Sequence, residues 1–215
     1  MNSDILKHYR QFSVFTNPGP YETLVRDLPD DVSEIGKLVR RQIIHRATLS
    51  NGNTGSNADL RYGDMTKVPW WRQPEDDILP TAAAMLAELY RRDNRGLTPE
   101  RSEENKLIVT CRFVAILMAS ILKSKGKPAR VRSGFDSYAS PKPGMSCDHW
   151  ITQYWEDSQQ GWITIDVDCC FEDTSVIRSA KHSGHDVYVA ILTRGRTDQT
   201  KIFRSANRRD WILIS

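Results

Sequence analysis

The sequence lacks the features that mark several classes of protein. Only four cysteines occur in 215 residues, and the polar N-terminus shows no apolar segment of the secretory type, so we expect free thiols and a cytoplasmic protein. The formal net charge is only +3, from 30 basic and 27 acidic residues, which argues against a nucleic-acid partner. These absences exclude a disulfide scaffold and a polycationic binding protein from the expected classes.

Long apolar runs are also missing. The longest apolar stretch, 107–122, is too short for a membrane span and contains Arg112, so we interpret it as mostly a buried helix and expect no membrane partner. Hydrophobic residues make up 39% of the chain and charged residues 27%, a balance that suits a packed globular core. Neither a nucleic acid nor a membrane is therefore expected to bind this chain, and the oligomeric state stays open.

Hydrophobic periodicity predicts the elements of the fold. Helices are predicted at 31–44, 79–92 and 110–125, and strands at 129–135, 149–155 and 162–167. Two adjacent tryptophans, Trp70 and Trp71, are more typical of a core anchor than of a ligand platform. The polar residues 157–160 predict a four-residue turn between the last two strands, which would pair Trp155 with Trp162.

Cys111 is placed where a helix begins. Thr110 is a good N-cap, so Cys111 falls in the first helical turn, among unpaired backbone N–H groups and at the positive end of the helix dipole. A thiolate is stabilised there, and we expect the pKa of the thiol to fall. A lone cysteine is more often a small buried apolar residue, so Cys111 needs partners before it predicts chemistry.

Two partners follow on the predicted strands. His149 begins one strand and Asp166 ends the next, where a buried carboxylate is costly unless it is paired. With the four-residue turn, or with a two-residue turn at 157–158, both side chains project from the same face of the hairpin. The sequence thus predicts an imidazole–carboxylate contact between His149 and Asp166.

The combined pattern resembles the core of the transglutaminase-like superfamily. Cys111 at a helix start, Gly126-Lys127-Pro128 after that helix, His149-Trp150 on a strand and Gly161 to Asp166 on the next occur in the order of that superfamily. The resemblance covers residues 105–171, and residues 1–100 faintly resemble those of bacterial transglutaminase-domain proteins. It implies an α+β, papain-like fold in which the nucleophile's helix packs on an antiparallel β-sheet. Residues 1–100 are expected to be mostly helical and to wall the cleft, and 101–215 to form the catalytic core, together as one compact domain.

The resemblance also implies a function. Cys111 would be the nucleophile, His149 the general base and Asp166 the residue that orients the imidazole, in hydrolysis or acyl transfer on a peptide or other amide through a thioester. Asp168 is an alternative orienting residue. The Cys111 backbone N–H would receive the oxyanion with a second donor, for which Asn105, Trp70 and Trp71 are candidates.

Two alternatives stay open beside this interpretation. One is a non-catalytic member of the same fold that binds peptide in its cleft. The other is a zinc protein, although the spacing is poor for a structural site and the main interpretation has no metal and no cofactor. Its candidate ligands would be Cys147, His149, Cys169, Cys170, His182 and His185.

Overall fold

A computed structural model describes residues 3–45, 64–136, 147–168 and 177–178, and the fold is α+β. The helices are α1 (Ser3–Arg10), α2 (Glu22–Arg26), α3 (Val32–Arg41), α4 (Ala82–Arg92) and α5 (Cys111–Ser124). The strands are β1 (Ile43–His45), β2 (Leu107–Val109), β3 (Ala129–Asp136), β4 (Cys147–Glu156), β5 (Gly161–Ile165) and β6 (Ile177–Arg178). Short 3₁₀ turns occur at Gly19–Tyr21, Met65–Lys67 and Glu103–Asn105.

Helix α5 is the centre of the hydrophobic core. Apart from Arg112, its residues are buried on every face, as expected for a helix with an almost wholly apolar sequence. It contacts strands β3 and β4 and helices α2, α3 and α4. Gly126 ends the helical segment in the left-handed region, at a φ of +78°, where a glycine carries no Cβ strain. The rigid, enclosed helix gives its first residue, Cys111, a fixed position.

A four-stranded antiparallel sheet with the order β3-β4-β5-β6 packs on α5. Trp155 lies opposite Trp162, and Glu156 opposite Gly161, so the predicted four-residue turn and its register are confirmed. The register that a two-residue turn would have produced is wrong. Because the ladder runs from this turn toward Thr152 and Ile165, the remote end of the hairpin brings His149 and Asp166 to one edge.

Strands β1 and β2 form a separate parallel pair, in which His45 lies opposite Val109. The predicted helix at 31–44 is correct only to Arg41, because Ile43 and Ile44 enter this pair instead of a last helical turn. Both isoleucine side chains are fully buried in the strand conformation. The strand is stabilised by β2, a partner that no local pattern reveals.

Two helices begin at side-chain caps. Asp31 accepts a hydrogen bond from the Glu34 N–H at 2.8 Å, and Thr81 accepts one from the Ala84 N–H at 3.2 Å. The helix predicted at 79–92 therefore begins at Ala82. The Asn- and Gly-rich sequence at 50–57, which is typical of a loop, lies outside the described residues. Within the described ranges, no helix is long and apolar enough to cross a lipid bilayer.

Candidate active site

Cys111 is mounted at the junction of β2 and α5. The Ile108 N–H donates to Oε2 of Glu75 at 2.9 Å, while the Glu75 N–H donates to the Ile108 carbonyl at 2.8 Å. The Thr110 N–H and hydroxyl both donate to Oδ1 of Asp76, each at 2.9 Å. Thr110 is the N-cap residue of α5, but its hydroxyl serves Asp76 instead of capping the helix. Residues 75 and 76 thereby fix the backbone that leads into Cys111.

The structure brings Cys111, His149 and Asp166 together. Nε2 of His149 lies 2.9 Å from Oδ2 of Asp166, and the imidazole also makes a hydrogen bond with the Cys111 thiol. His149 is 3% exposed and Cys111 8% exposed, so the ring and the sulfur meet with little competing water. This order, sulfur to imidazole to carboxylate, is the arrangement in which a neighbouring base activates a nucleophile and a carboxylate orients that base.

The electrostatics of the thiol differ from the expectation. Burial raises the pKa of the Cys111 thiol above its usual value, and the negative charge of Asp168 raises it further. Hydrogen bonds from His149 and from the Trp150 backbone oppose this shift without reversing it. The predicted fall in pKa at the helix start is therefore wrong in direction, because desolvation of the sulfur outweighs its favourable contacts.

A second histidine and a second aspartate border the same cysteine. The Cys111 backbone N–H donates to Nε2 of His45 at 3.2 Å, and Oδ2 of Asp168 lies 3.4 Å from that nitrogen. Burial lowers the pKa of His45, against the opposing effect of the Asp168 charge. A neutral His45 suits its role as acceptor, because Nε2 can accept the N–H only when it carries no proton. His45 thus satisfies an otherwise unpaired N–H at the start of α5.

The three candidates for a second oxyanion donor, Trp70, Trp71 and Asn105, lie on two different segments of the chain. Trp70 is 90% exposed and Trp71 61% exposed, so the interpretation of the pair as a core anchor is wrong. Both belong to the segment that Glu75 and Asp76 tie to β2 and to Thr110. The side-chain amide of Asn105 donates to the Ser102 hydroxyl at 3.0 Å, and Asn105 precedes β2 whereas Cys111 follows it.

Sequence reasoning did not find His45. His45 directly follows the helix predicted at 31–44, and only the parallel pairing of β1 with β2 carries it beside Cys111. His45 directly follows two isoleucines, but this local pattern does not indicate which residue lies beside the histidine in the fold. Of the six ligands named for the zinc alternative, the side chain of His149 alone lies among the described residues, and it contacts Asp166.

Comparison with known proteins gives sparse results. No protein-family model matches the chain, and no curated protein matches it. A solved structure of a "putative cysteine protease" from Cytophaga hutchinsonii is similar at a TM-score of 0.47 and 13% identity, with 86% of this chain and 50% of that chain covered. The periplasmic domain of TgpA from Pseudomonas aeruginosa, solved with bound ethylmercury, is similar at a TM-score of 0.23 and 19% identity, with 68% and 48% covered. The chain spans about half the length of each, and neither likeness assigns it a function.

Proposed function

We propose that this protein is a cysteine-dependent enzyme with a transglutaminase-like, papain-like core that transfers an acyl group from an amide to water or to an amine. Cys111 is the nucleophile, His149 the general base and Asp166 the orienting carboxylate. The observation that carries the proposal is a continuous series of contacts. The Cys111 thiol is hydrogen-bonded to the His149 ring, and Nε2 of that ring lies 2.9 Å from Oδ2 of Asp166. A buried imidazole held between a thiol and a carboxylate is the arrangement by which a base activates a cysteine nucleophile, and such groupings of titratable side chains cluster at functional sites.

The first step is proton transfer. Because burial raises the pKa of the Cys111 thiol, the sulfur keeps its proton until His149 takes it during the attack. The resulting thiolate attacks the amide carbonyl, and the positive imidazolium is stabilised by Asp166. His149 then gives the proton to the leaving amine, and a thioester on Cys111 remains. Water or a second amine, deprotonated by His149, attacks the thioester and releases Cys111.

The oxyanion of this reaction needs hydrogen-bond donors. The Cys111 N–H is the nearest backbone donor, but His45 accepts it in this arrangement. The substrate carbonyl therefore has to displace His45 from that N–H, and the exchange couples binding of the acyl group to a movement of the His45 ring. Trp70 and Trp71, exposed on the segment tied to Thr110, offer an apolar surface for the rest of the substrate.

The experiment that tests this function is a substrate screen with matched variants. Purified protein is incubated with glutamine-containing peptides and with simple acyl amides, with and without a primary amine, and ammonia release and product mass are followed. We expect turnover in the wild type, none in Cys111→Ala or His149→Ala, and unchanged folding of both by circular dichroism. Turnover that persists in Cys111→Ala would refute the assignment of the nucleophile.

A second candidate function is peptide binding without catalysis. It is favoured by the burial of Cys111 and the raised pKa of its thiol, and by the acceptor that already occupies the Cys111 N–H. Such a protein would bind peptides with the same affinity in the wild type and in His149→Ala, and it would never carry an acyl group on Cys111. Saturation binding measured by calorimetry, together with the screen, separates the two functions.

A further inference from the structure

Three electron-pair donors converge beside the His149–Asp166 pair. A ring nitrogen of His45, Sγ of Cys111 and a carboxylate oxygen of Asp168 all lie within 4.8 Å of one another. They come from three separate elements: the end of β1, the start of α5 and the segment after β5. Nε2 of His45 accepts the Cys111 N–H, so in that state it presents no proton to Oδ2 of Asp168, 3.4 Å away.

Asp168 is buried without enough compensation. Its residue is 3% exposed, and among the described residues its Oδ1 atom has no hydrogen-bond partner. A buried carboxylate that lacks a cation or a full set of donors is strongly disfavoured. The fold places the Asp168 carboxylate beside His45 and Cys111, and the described residues supply no side-chain donor to its Oδ1 atom.

We propose that His45, Cys111 and Asp168 form a binding site for a thiophilic divalent cation, with Zn²⁺ as the best match. Imidazole, thiolate and carboxylate are the three side-chain ligands of zinc, and a site with three protein ligands keeps its fourth position for water. Ligand atoms about 2.0–2.3 Å from a tetrahedral zinc lie roughly 3.3–3.8 Å apart. The observed spacing of up to 4.8 Å therefore closes onto the ion with side-chain movements of about 1 Å.

Zinc binding at this site would inhibit the proposed reaction by blocking the Cys111 nucleophile. The ion replaces the proton of the Cys111 thiol, the proton passes to solvent, and the sulfur lone pair that would attack a carbonyl is used in the metal bond. His149 and Asp166 are not ligands, so their contact is kept. The inhibitory consequence rests on the proposed function, whereas the binding itself does not.

The test measures metal binding directly, in a background where Cys147, Cys169 and Cys170 are changed to serine so that Cys111 is the single thiol. Zn²⁺ affinity is measured by competition with a chromophoric chelator. Co²⁺ is then added in place of zinc, and the thiolate-to-cobalt charge-transfer band is recorded. We expect one ion per chain, and a charge-transfer band that Cys111→Ser abolishes.

Variants of the other two ligands give the decisive comparison. Asp168→Asn, which keeps the shape of the side chain, and His45→Gln should each weaken Zn²⁺ binding by at least about 10- to 100-fold. That range is typical for loss of a residue that only contacts a metal ligand, and loss of a ligand itself should weaken binding no less. The exposed neighbour of His149, Asp148, supplies the matched control, and Asp148→Asn should bind Zn²⁺ like the background. The double variant of His182 and His185 to glutamine should also bind normally.

Each outcome is informative about one proposal alone. Absence of Zn²⁺ binding, or binding unchanged in both Asp168→Asn and His45→Gln, would overturn the metal site even if the protein turns over amides. Zinc bound by these three ligands in a protein that never forms a thioester would leave the site standing and refute the proposed function. Turnover that rises with added Zn²⁺ and falls with a chelator would contradict the inhibitory role.

Discussion

Nε2 of His149 lies 2.9 Å from Oδ2 of Asp166, where strand β4 passes the residue that follows β5. The contact fixes the plane and the proton position of a ring that is 3% exposed. A ring held in this way has one tautomer available toward the Cys111 thiol. The proposed chemistry therefore depends on Asp166, whereas the hydrophobic core does not include this residue.

Asp166→Asn should lower kcat by about 10³–10⁴-fold, because the amide favours the wrong tautomer of His149 and leaves the imidazolium without its counter-charge. KM should change little, since Asp166 does not reach the substrate in this mechanism. Steady-state kinetics on the best substrate of the screen provide the measurement. Asp148→Asn, an exposed position on the same strand, is the control and should keep wild-type kinetics. A kcat for Asp166→Asn within a few-fold of wild type would exclude Asp166 as the orienting residue.

The pH dependence of Cys111 alkylation follows from its surroundings. Burial and the Asp168 charge raise the thiol pKa, so reaction with iodoacetamide, with EDTA present to remove metal, should accelerate only above neutral pH. Asp168→Asn should move the midpoint of this profile to lower pH, and His149→Ala should move it to higher pH. Peptide mass spectrometry reports the rate at Cys111. A wild-type midpoint below that of an ordinary thiol would show instead a preformed thiolate.

Stability should also depend on pH through Lys123. Burial lowers the pKa of Lys123 to about 8 from 10.5, and its Nζ donates to the Gln11 carbonyl at 2.7 Å. Between these two values the unfolded chain binds more protons than the folded one, so the free energy of unfolding rises with pH over this window, by up to about 3 kcal/mol. Lys123→Met should lack this rise in urea unfolding at pH 8 and pH 10. The exposed-lysine variant Lys67→Met should keep it, and an equal rise in Lys123→Met would contradict the assignment.

Trp70 and Trp71 give a prediction about substrate binding. Trp70→Ala should raise KM several-fold with kcat nearly unchanged, because an exposed apolar side chain contributes uniform binding and takes no part in proton transfer. Leu24→Ala is the matched control, since Leu24 is also exposed but lies on α2, which contacts the end of α5 remote from Cys111. An unchanged KM in the double variant of Trp70 and Trp71 to alanine would place the substrate elsewhere.

The hairpin and its two polar side chains could be predicted from the sequence. Strand residues alternate with a period of two and the turn length fixes the register, so the pairing of Trp155 with Trp162 followed from local information. The start of the helix at Cys111 was equally local, since Thr110 precedes a long apolar run. These elements carry Cys111, His149 and Asp166, the three residues first singled out.

The rest of the site depends on contacts between distant segments. Ile43 and Ile44 fit a helical period as well as a strand, and only pairing with β2 decides between them. The same pairing brings His45 to Cys111, and no local pattern could show it. Trp70 and Trp71 were expected in the core because tryptophan usually buries its ring, yet their segment is anchored through the polar side chains of Glu75 and Asp76.

The central claim is that Cys111 forms a covalent acyl intermediate, and trapping that intermediate tests it most directly. The wild type and Cys111→Ala are mixed with an activated acyl ester, quenched in acid within seconds and analysed by intact mass and peptide mapping. We predict one acyl group on the peptide that contains Cys111 in the wild type, none in Cys111→Ala, and a much slower build-up in His149→Ala. Acylation absent from Cys111 in a protein that turns over the ester, or equally fast in His149→Ala, would contradict the account.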